Sequence, residues 1–311
     1  MQPASLSASA TRLGAFAEAL EARAPMLTGE LKRNLNQHPV LFPQLAETML
    51  SWAEKAIGTD YLTILINGYI AFVMDVNQQQ LKYEETGKYE SHSYTEVYER
   101  TYGQRKFMEK YHWGVYVTTF LWEHHLRLHS YYLRDFLPLI KEGRNIVDLG
   151  AGSGIWHFLT LQHCKNIHVT AVDISPTSVE ESGRMAKLLG LSANTNYVCH
   201  DAITYKGAQA YDAGISCFLL EHLENPQALL DNLANQIKER GYAFVTAALT
   251  AAEVDHIFEM KRESELVLMA EKAGFRLCSL YSATPLTPRP RSRFLARSVG
   301  MVLQKRANDI W

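Results

Sequence analysis

Four acidic positions follow short apolar runs at regular intervals: Asp148, Asp173, Asp201 and the Glu221–His222 pair. The first of them opens a loop with glycine at 150, 152 and 154. Such a loop lets backbone approach a ligand closely, because glycine adopts positive φ and carries no side chain to hold the ligand away. Asp173 lies 19 residues after Gly154. A carboxylate there can accept both hydroxyls of a ribose lying over the loop. Asp201 is placed to accept from the exocyclic amine of an adenine. A dinucleotide fingerprint needs its third glycine at position 155, which is Ile155, so a nicotinamide cofactor fits poorly.

These residues need a scaffold that brings four strand ends to one edge. Apolar runs at 145–149, 168–173, 195–200 and 211–218 alternate with helical segments, as a doubly wound parallel sheet requires. Further β-type stretches at 241–249, 275–283 and 297–306 complete the set. Gly241 is expected to end the helix before the fifth strand. Open α/β sheets bind ligands at the carboxyl edge of their strands.

The runs Val147 to Gly154, Ala171 to Ser175, His200-Asp201-Ala202 and Leu220-Glu221-His222-Leu223 resemble, in this order, the successive motifs of class I S-adenosylmethionine (SAM)-dependent methyltransferases. The resemblance covers roughly residues 140 to 311. It implies an α/β, Rossmann-like seven-stranded sheet whose last strand runs antiparallel, with SAM as cofactor across the tips of the first two strands. By the family pattern, Gly150, Gly152 and Gly154 approach the amino acid end of SAM, and Asp148 at the start of the loop counts with them as cofactor-binding. Asp173 would hold the ribose and Asp201 with Ala202 the adenine, while Ile174 and Phe218 would flank the base. Glu221 and His222 admit a second reading, because acids are favoured where a helix begins.

The chain divides near residue 140. Residues 1–140 have little strand character and read as a helical, aromatic-rich cap over the SAM-binding domain at 141–311. Helical patterns cover 11–24 and 41–56, and the apolar window Tyr61 to Met74 reads as a buried helix ended by a polar break at Asn77-Gln78-Gln79-Gln80. Between Tyr83 and Tyr132 lie eleven Tyr and Trp residues, interleaved with His92, His112, His124, His125 and His129. Such a cap would exclude water and surround a sulfonium with π faces. The same residues would also serve as the inner face of a helical subdomain. Tyr111, His125, His222 and His256 are the candidates for orienting an acceptor or removing its proton. Asp255 beside His256 reads equally as a helix cap. His125 and His129 share a helix face, but no Glu or Cys completes a metal set at recognisable spacing, so no metal is expected.

Methyl transfer needs only an aligned, desolvated nucleophile, so no triad has to be visible. Transfer to an oxygen, nitrogen or carbon of an enclosed small molecule is the leading expectation. The methyltransferase-like azetidine-2-carboxylate synthases suggest an alternative, in which SAM itself is cyclised and methylthioadenosine leaves. A third is a SAM-binding protein without turnover.

The 311-residue chain has a formal net charge of −2, without the basic excess of a nucleic-acid binder. Its one concentrated basic stretch, Arg289 to Arg293, reads as a solvated hairpin loop. Cys164, Cys199, Cys217 and Cys278 show no paired spacing and read as small core residues in a reducing compartment. Met1 to Ala10 lacks a signal-peptide pattern, and the apolar window at 61–74 is too short to span a bilayer, which needs about 20 residues. A cytoplasmic protein without a membrane partner is the expectation.

Overall fold

Leu13, Phe16 and Leu20 recur at helical spacing and form the buried stripe of α1 (Arg12–Arg23). Thr11 caps it, accepting from the Gly14 N–H at 3.0 Å. Six more helices follow: α2 (Gly29–Gln37), α3 (Leu41–Ile57), α4 (Tyr61–Thr86), α5 (Tyr94–Arg100), α6 (Arg105–Leu121) and α7 (Glu123–Tyr131). The computed structural model describes residues 11–285 and 292–307. α4 and α6 meet where Gly68 faces Gly114. A Cβ on Gly114 would lie 2.6 Å from the Gly68 carbonyl oxygen, so the two backbones touch only because neither residue has a side chain.

α4 does not stop at the polar break. It runs through Gln79 and Gln80 to Thr86, and Gly87 ends it in the left-handed region at φ 71. The polar residues stay helical because they face protein. The Gln80 side chain accepts from the Ala252 N–H at 3.0 Å, and Tyr83 is fully buried. The break was misread because buried glutamines look like solvated ones in sequence.

A π-helical turn, Tyr132–Phe136, leads toward β1 (Asn145–Leu149). There follow α8 (Ile155–His163), β2 (His168–Asp173), α9 (Pro176–Leu188), β3 (Thr195–Cys199), β4 (Tyr211–Cys217), α10 (Pro226–Gln236), β5 (Ile237–Leu249), α11 (Glu263–Lys272), β6 (Phe275–Ala283) and β7 (Arg297–Lys305). They form one seven-stranded sheet in the order β3-β2-β1-β4-β5-β7-β6. The first five strands are parallel, and β7 runs antiparallel between β5 and β6. This is the expected Rossmann-like α/β sheet. Ile146, Val147 and Leu149 are wholly buried, as a parallel strand covered on both faces demands.

Gly241 does not end a helix. α10 gives way to β5 at Ile237, and Gly241 lies within the strand. Its Cβ would stand 2.7 Å from the Asp212 carbonyl oxygen, so the glycine admits close strand approach at a register shift.

One apolar core joins helices and sheet. Trp52 of α3 meets Phe158 of α8 edge-on at 5.8 Å, and Tyr132 meets Phe244 of β5 at 4.8 Å. The four cysteines are free. Cys199 and Cys278 are exposed rather than core, because both sit on the edge strands β3 and β6. No single helix among the described residues is long and apolar enough to cross a membrane. Of the basic stretch, Arg289 to Arg291 lie outside the described residues.

Candidate functional site

The loop between β1 and α8 turns on three glycines at φ 77, 50 and 82. They serve different ends. A Cβ on Gly150 would strike Leu219 at 2.5 Å, and one on Gly154 would strike Phe158 at 2.6 Å. A Cβ on Gly152 would meet nothing within 4 Å, so the space beside it is open for a ligand. Asp173, at the tip of β2, grips this loop. Its Oδ2 accepts from the Gly152 N–H at 2.8 Å and its Oδ1 from the Ser175 N–H at 2.9 Å. Each carboxylate oxygen keeps a second lone pair for a ligand hydroxyl. Burial raises the Asp173 carboxyl above its ordinary value, against those two hydrogen bonds.

Asp148 lies behind the loop. Its Oδ2 sits 2.8 Å from His157 Nδ1, and His157 Nε2 sits 3.1 Å from the Tyr197 hydroxyl. Asp148 and His157 are buried under the sheet edge, and Tyr197 is partly buried. Asp201 folds its own loop by accepting from the Ile203 N–H at 2.8 Å, and Asn232 fixes the Ala202 carbonyl at 2.7 Å.

The tips of β4 and β5 are strained. Phe218 stands at φ 51 and Thr250, a β-branched residue, at φ 49. Phe218 is held by hydrogen bonds from its N–H to Thr246, at 3.0 Å to the hydroxyl. The loop after β5 carries Asp255, which is fully buried. Its Oδ2 accepts from the hydroxyls of Tyr102 at 2.8 Å and Tyr111 at 2.7 Å. The Tyr102 hydroxyl also lies 3.1 Å from His222 Nδ1, and the rings of His222 and His256 are 4.8 Å apart. Burial works to raise the Asp255 carboxyl, but His222, His256 and the two hydroxyls outweigh it and hold it below its ordinary value. Burial pushes both tyrosines well above 10, so they remain neutral donors. Burial lowers His256 and takes His125 down to about 4.

A cavity of about 860 Å³ joins the two halves. Gly150, Gly152, Asp173, Ile174, Asp201, Ala202 and Phe218 line it, as do Tyr111, His125, His222 and His256. Asp148 and Gly154 do not; they brace the loop from behind. Tyr111, His222 and His256 gather at Asp255, whereas His125 stands apart between Trp122 and Phe218, at 5.2 and 5.0 Å. Of the eleven Tyr and Trp residues in the cap, Tyr94, Tyr102, Tyr111 and Trp122 reach the cavity. Tyr116, Tyr131 and Tyr132 are core, and Tyr98 is exposed. Sequence does not single out Tyr102 as a site residue, and it marks Glu221 only as part of the Glu221–His222 pair, without a role. Glu221 is fully buried and burial lifts its carboxyl to about 7. The helix-start reading of Glu221–His222 holds only for a single 3-10 turn, Leu220–His222, with Glu221 in its first turn; α10 begins later, at Pro226 under an Asn225 cap. Asp255 caps no helix either; it lies in the loop after β5.

A seven-stranded sheet of this order, with a glycine loop at β1 and an acid at the tip of β2, defines a Rossmann-like nucleoside-cofactor fold. A family model described as a methyltransferase domain matches residues 121–287, more than half of the chain. The chain belongs to that family, and SAM is its cofactor. It is 30% identical over 160 residues to a ubiquinone biosynthesis O-methyltransferase of Coxiella burnetii, across 45% of this chain and 66% of that one. It is 29% identical over 126 residues to a probable (S)-tetrahydroprotoberberine N-methyltransferase of Papaver bracteatum, across 40% and 35%. The chain thus spans less than two thirds of the length of these relatives. The N-methyltransferase NodS of Bradyrhizobium japonicum, solved with S-adenosyl-L-homocysteine, shares the fold at a TM-score of 0.50 and 12% identity, over 70% of this chain and all of that one. The open space at Gly152 and the spare lone pairs of Asp173 fit SAM.

Proposed function

We propose that the protein transfers the methyl group of SAM to an oxygen, nitrogen or carbon of a small molecule enclosed between the helical cap and the sheet edge. The observation that carries this is the continuity of one cavity from Gly152 and Asp173 to the Tyr102–Tyr111–Asp255–His222 network. Its volume of about 860 Å³ is near the top of the range of roughly 300–1,000 Å³ common for ligand pockets, which leaves room for an acceptor beside the cofactor. The matched O- and N-methyltransferases support the same reaction class.

In this reading Asp173 holds the ribose, Asp201 and Ala202 the adenine, and Ile174 and Phe218 flank the base. SAM supplies a methyl carbon already activated by its sulfonium. The protein aligns the acceptor and keeps water out, with Tyr111, His125, His222 and His256 facing it. The tyrosines hold Asp255 beside His222, so that His222 is set to take the proton of an acceptor hydroxyl or ammonium. An enclosed site of this kind suits a small molecule in a reducing, cytoplasmic setting better than a nucleic acid.

A second reading is favoured by the aromatic lining from Tyr94, Tyr102, Tyr111 and Trp122. Here the protein closes SAM's α-amine onto its γ-carbon, releasing methylthioadenosine, with Asp255 near the proton released. Mass spectrometry of the full chain with SAM separates the readings. S-adenosylhomocysteine formed only with added phenol, amine or carbon-acid acceptors supports transfer. Methylthioadenosine with azetidine-2-carboxylate from SAM alone, above an enzyme-free control, overturns it. SAM bound but never converted across the panel marks a binding protein.

A further inference from the structure

Three side chains in the loop after β5 converge without a counterion. Glu253, Asp255 and His256 each offer one ligand atom, and these atoms lie within 4.8 Å of one another. All three line the cavity. The two buried members have one atom anchored and one free. Asp255 Oδ2 is taken by the hydroxyls of Tyr102 and Tyr111, while its buried Oδ1 has no hydrogen-bond partner. His256 Nδ1 lies 2.7 Å from the Ala251 carbonyl, which only accepts, so Nδ1 carries the proton and Nε2 presents a lone pair. That Nε2 lies 3.7 Å from Glu253 Oε2, beyond hydrogen-bond distance, so it has no direct partner there.

The surroundings add further unpartnered carboxyl oxygens. Glu221 is fully buried beside them with its Oε2 unpartnered, and Asp75 has a buried, unpartnered Oδ2. The ion-pair partners of Asp255 and Glu253 among the described residues are histidines, not Lys or Arg. Buried carboxyl groups are costly in their ionised form without a compensating cation. A metal ion would stabilise the ionised forms of its own ligands. A His whose second nitrogen is tied to a backbone carbonyl, beside a carboxylate whose second oxygen is tied to protein donors, is the outer arrangement that metal ligands show.

We propose that Glu253, Asp255 and His256 bind a divalent cation of the Mn²⁺, Fe²⁺ or Zn²⁺ type on the acceptor side of the cavity. Two carboxylate oxygens and one imidazole nitrogen suit these ions, and three protein ligands leave positions open to water or an acceptor oxygen. The proposal does not rest on the transfer reading, because its test reads no turnover.

The full chain, stripped with EDTA and dialysed, is titrated with Zn²⁺ by calorimetry and with Co²⁺ by visible absorption. One saturable site per chain is expected, with a thermal midpoint that rises with metal. Glu253→Gln and His256→Gln should each weaken binding at least tenfold and abolish the thermal shift. Glu239→Gln, on the far end of the sheet, should change neither. Should His256→Gln fail to fold, Glu253→Gln decides, since its side chain is the least buried of the three. Folding is checked by the midpoint in EDTA and by SAM titration, and failure of SAM binding would count against the cofactor site rather than this one. The absence of a saturable site, or equal binding in wild type and Glu253→Gln, overturns the proposal.

Discussion

The two walls of the cavity are built by different rules. The sheet wall is made of strand ends: Gly152, Asp173, Asp201 and Phe218 are each set by the backbone of the strand that delivers them. The cap wall is made of side chains reaching inward from α4, α6, α7 and the segment after α5. Its polar contacts cross long stretches of sequence, as from Tyr102 and Tyr111 to Asp255. In the proposed reading the sheet wall binds what the family shares, and the cap wall is the part free to define what this protein does with it.

The strongest test of that division is to remove both cap hydroxyls. The double variant Tyr102→Phe, Tyr111→Phe leaves a buried carboxylate without its donors, which should cost about 3–5 kcal/mol of stability. Turnover should fall steeply while the folded fraction keeps its SAM affinity by calorimetry. Loss of SAM binding would dissolve the distinction between the walls. The converse change, Asp173→Ala, should weaken SAM binding by roughly 1.5–3 kcal/mol and leave the Tyr102–Asp255 network intact. Unchanged affinity would mean that the cofactor lies elsewhere.

Acid should separate the walls too. Burial holds the His129 imidazole at about 3, against an ordinary 6.5. Between those values the unfolded chain binds the proton and the folded one does not. Its contribution to stability is therefore present above pH 6.5 and is lost as pH falls toward 3, by on the order of a few kcal/mol. Denaturation midpoints of wild type and His129→Gln, followed from pH 7 down to about 4, should converge as the solution becomes acidic. Parallel curves would show that the ring charges freely in the folded cap. The smallest effect is expected at Glu84, whose carboxylate accepts from the Arg293 N–H at 2.7 Å, the Phe294 N–H at 3.1 Å and the Ser292 hydroxyl. Glu84→Gln should cost about 1 kcal/mol, read as a small drop in thermal midpoint with faster proteolysis after residue 292.

What could be read in advance follows from the same contrast. The strands, the glycine loop and the acids at strand tips have local periodicity and fixed intervals, so both the sheet and its edge were legible. Gly241 misled because a glycine that admits a neighbouring strand and one that ends a helix look alike. Gln79 and Gln80 misled because polarity does not say whether the partner is water or the Ala252 backbone. The cap aromatics were legible as a group but not individually, since Tyr111 and Tyr116 differ only in which side of α6 they occupy. The convergence of Glu253, Asp255 and His256 with Glu221 and His222 depends on β4 and β5 ending side by side. Residue spacing along the cap helix carries no sign of it.

One consequence concerns traffic. α4 has 26 residues, about 39 Å of rigid rod, and its polar end is fastened to the β5 loop through Gln80 and to residues 292–294 through Glu84. Its other end is sunk in the shared core at Leu65 and Tyr69. A roof pinned at both ends does not swing on a single hinge. On the transfer reading, two molecules must share a cavity under this fixed roof, and whichever enters first narrows the way for the second. Steady-state kinetics should then show a compulsory loading order rather than a random one.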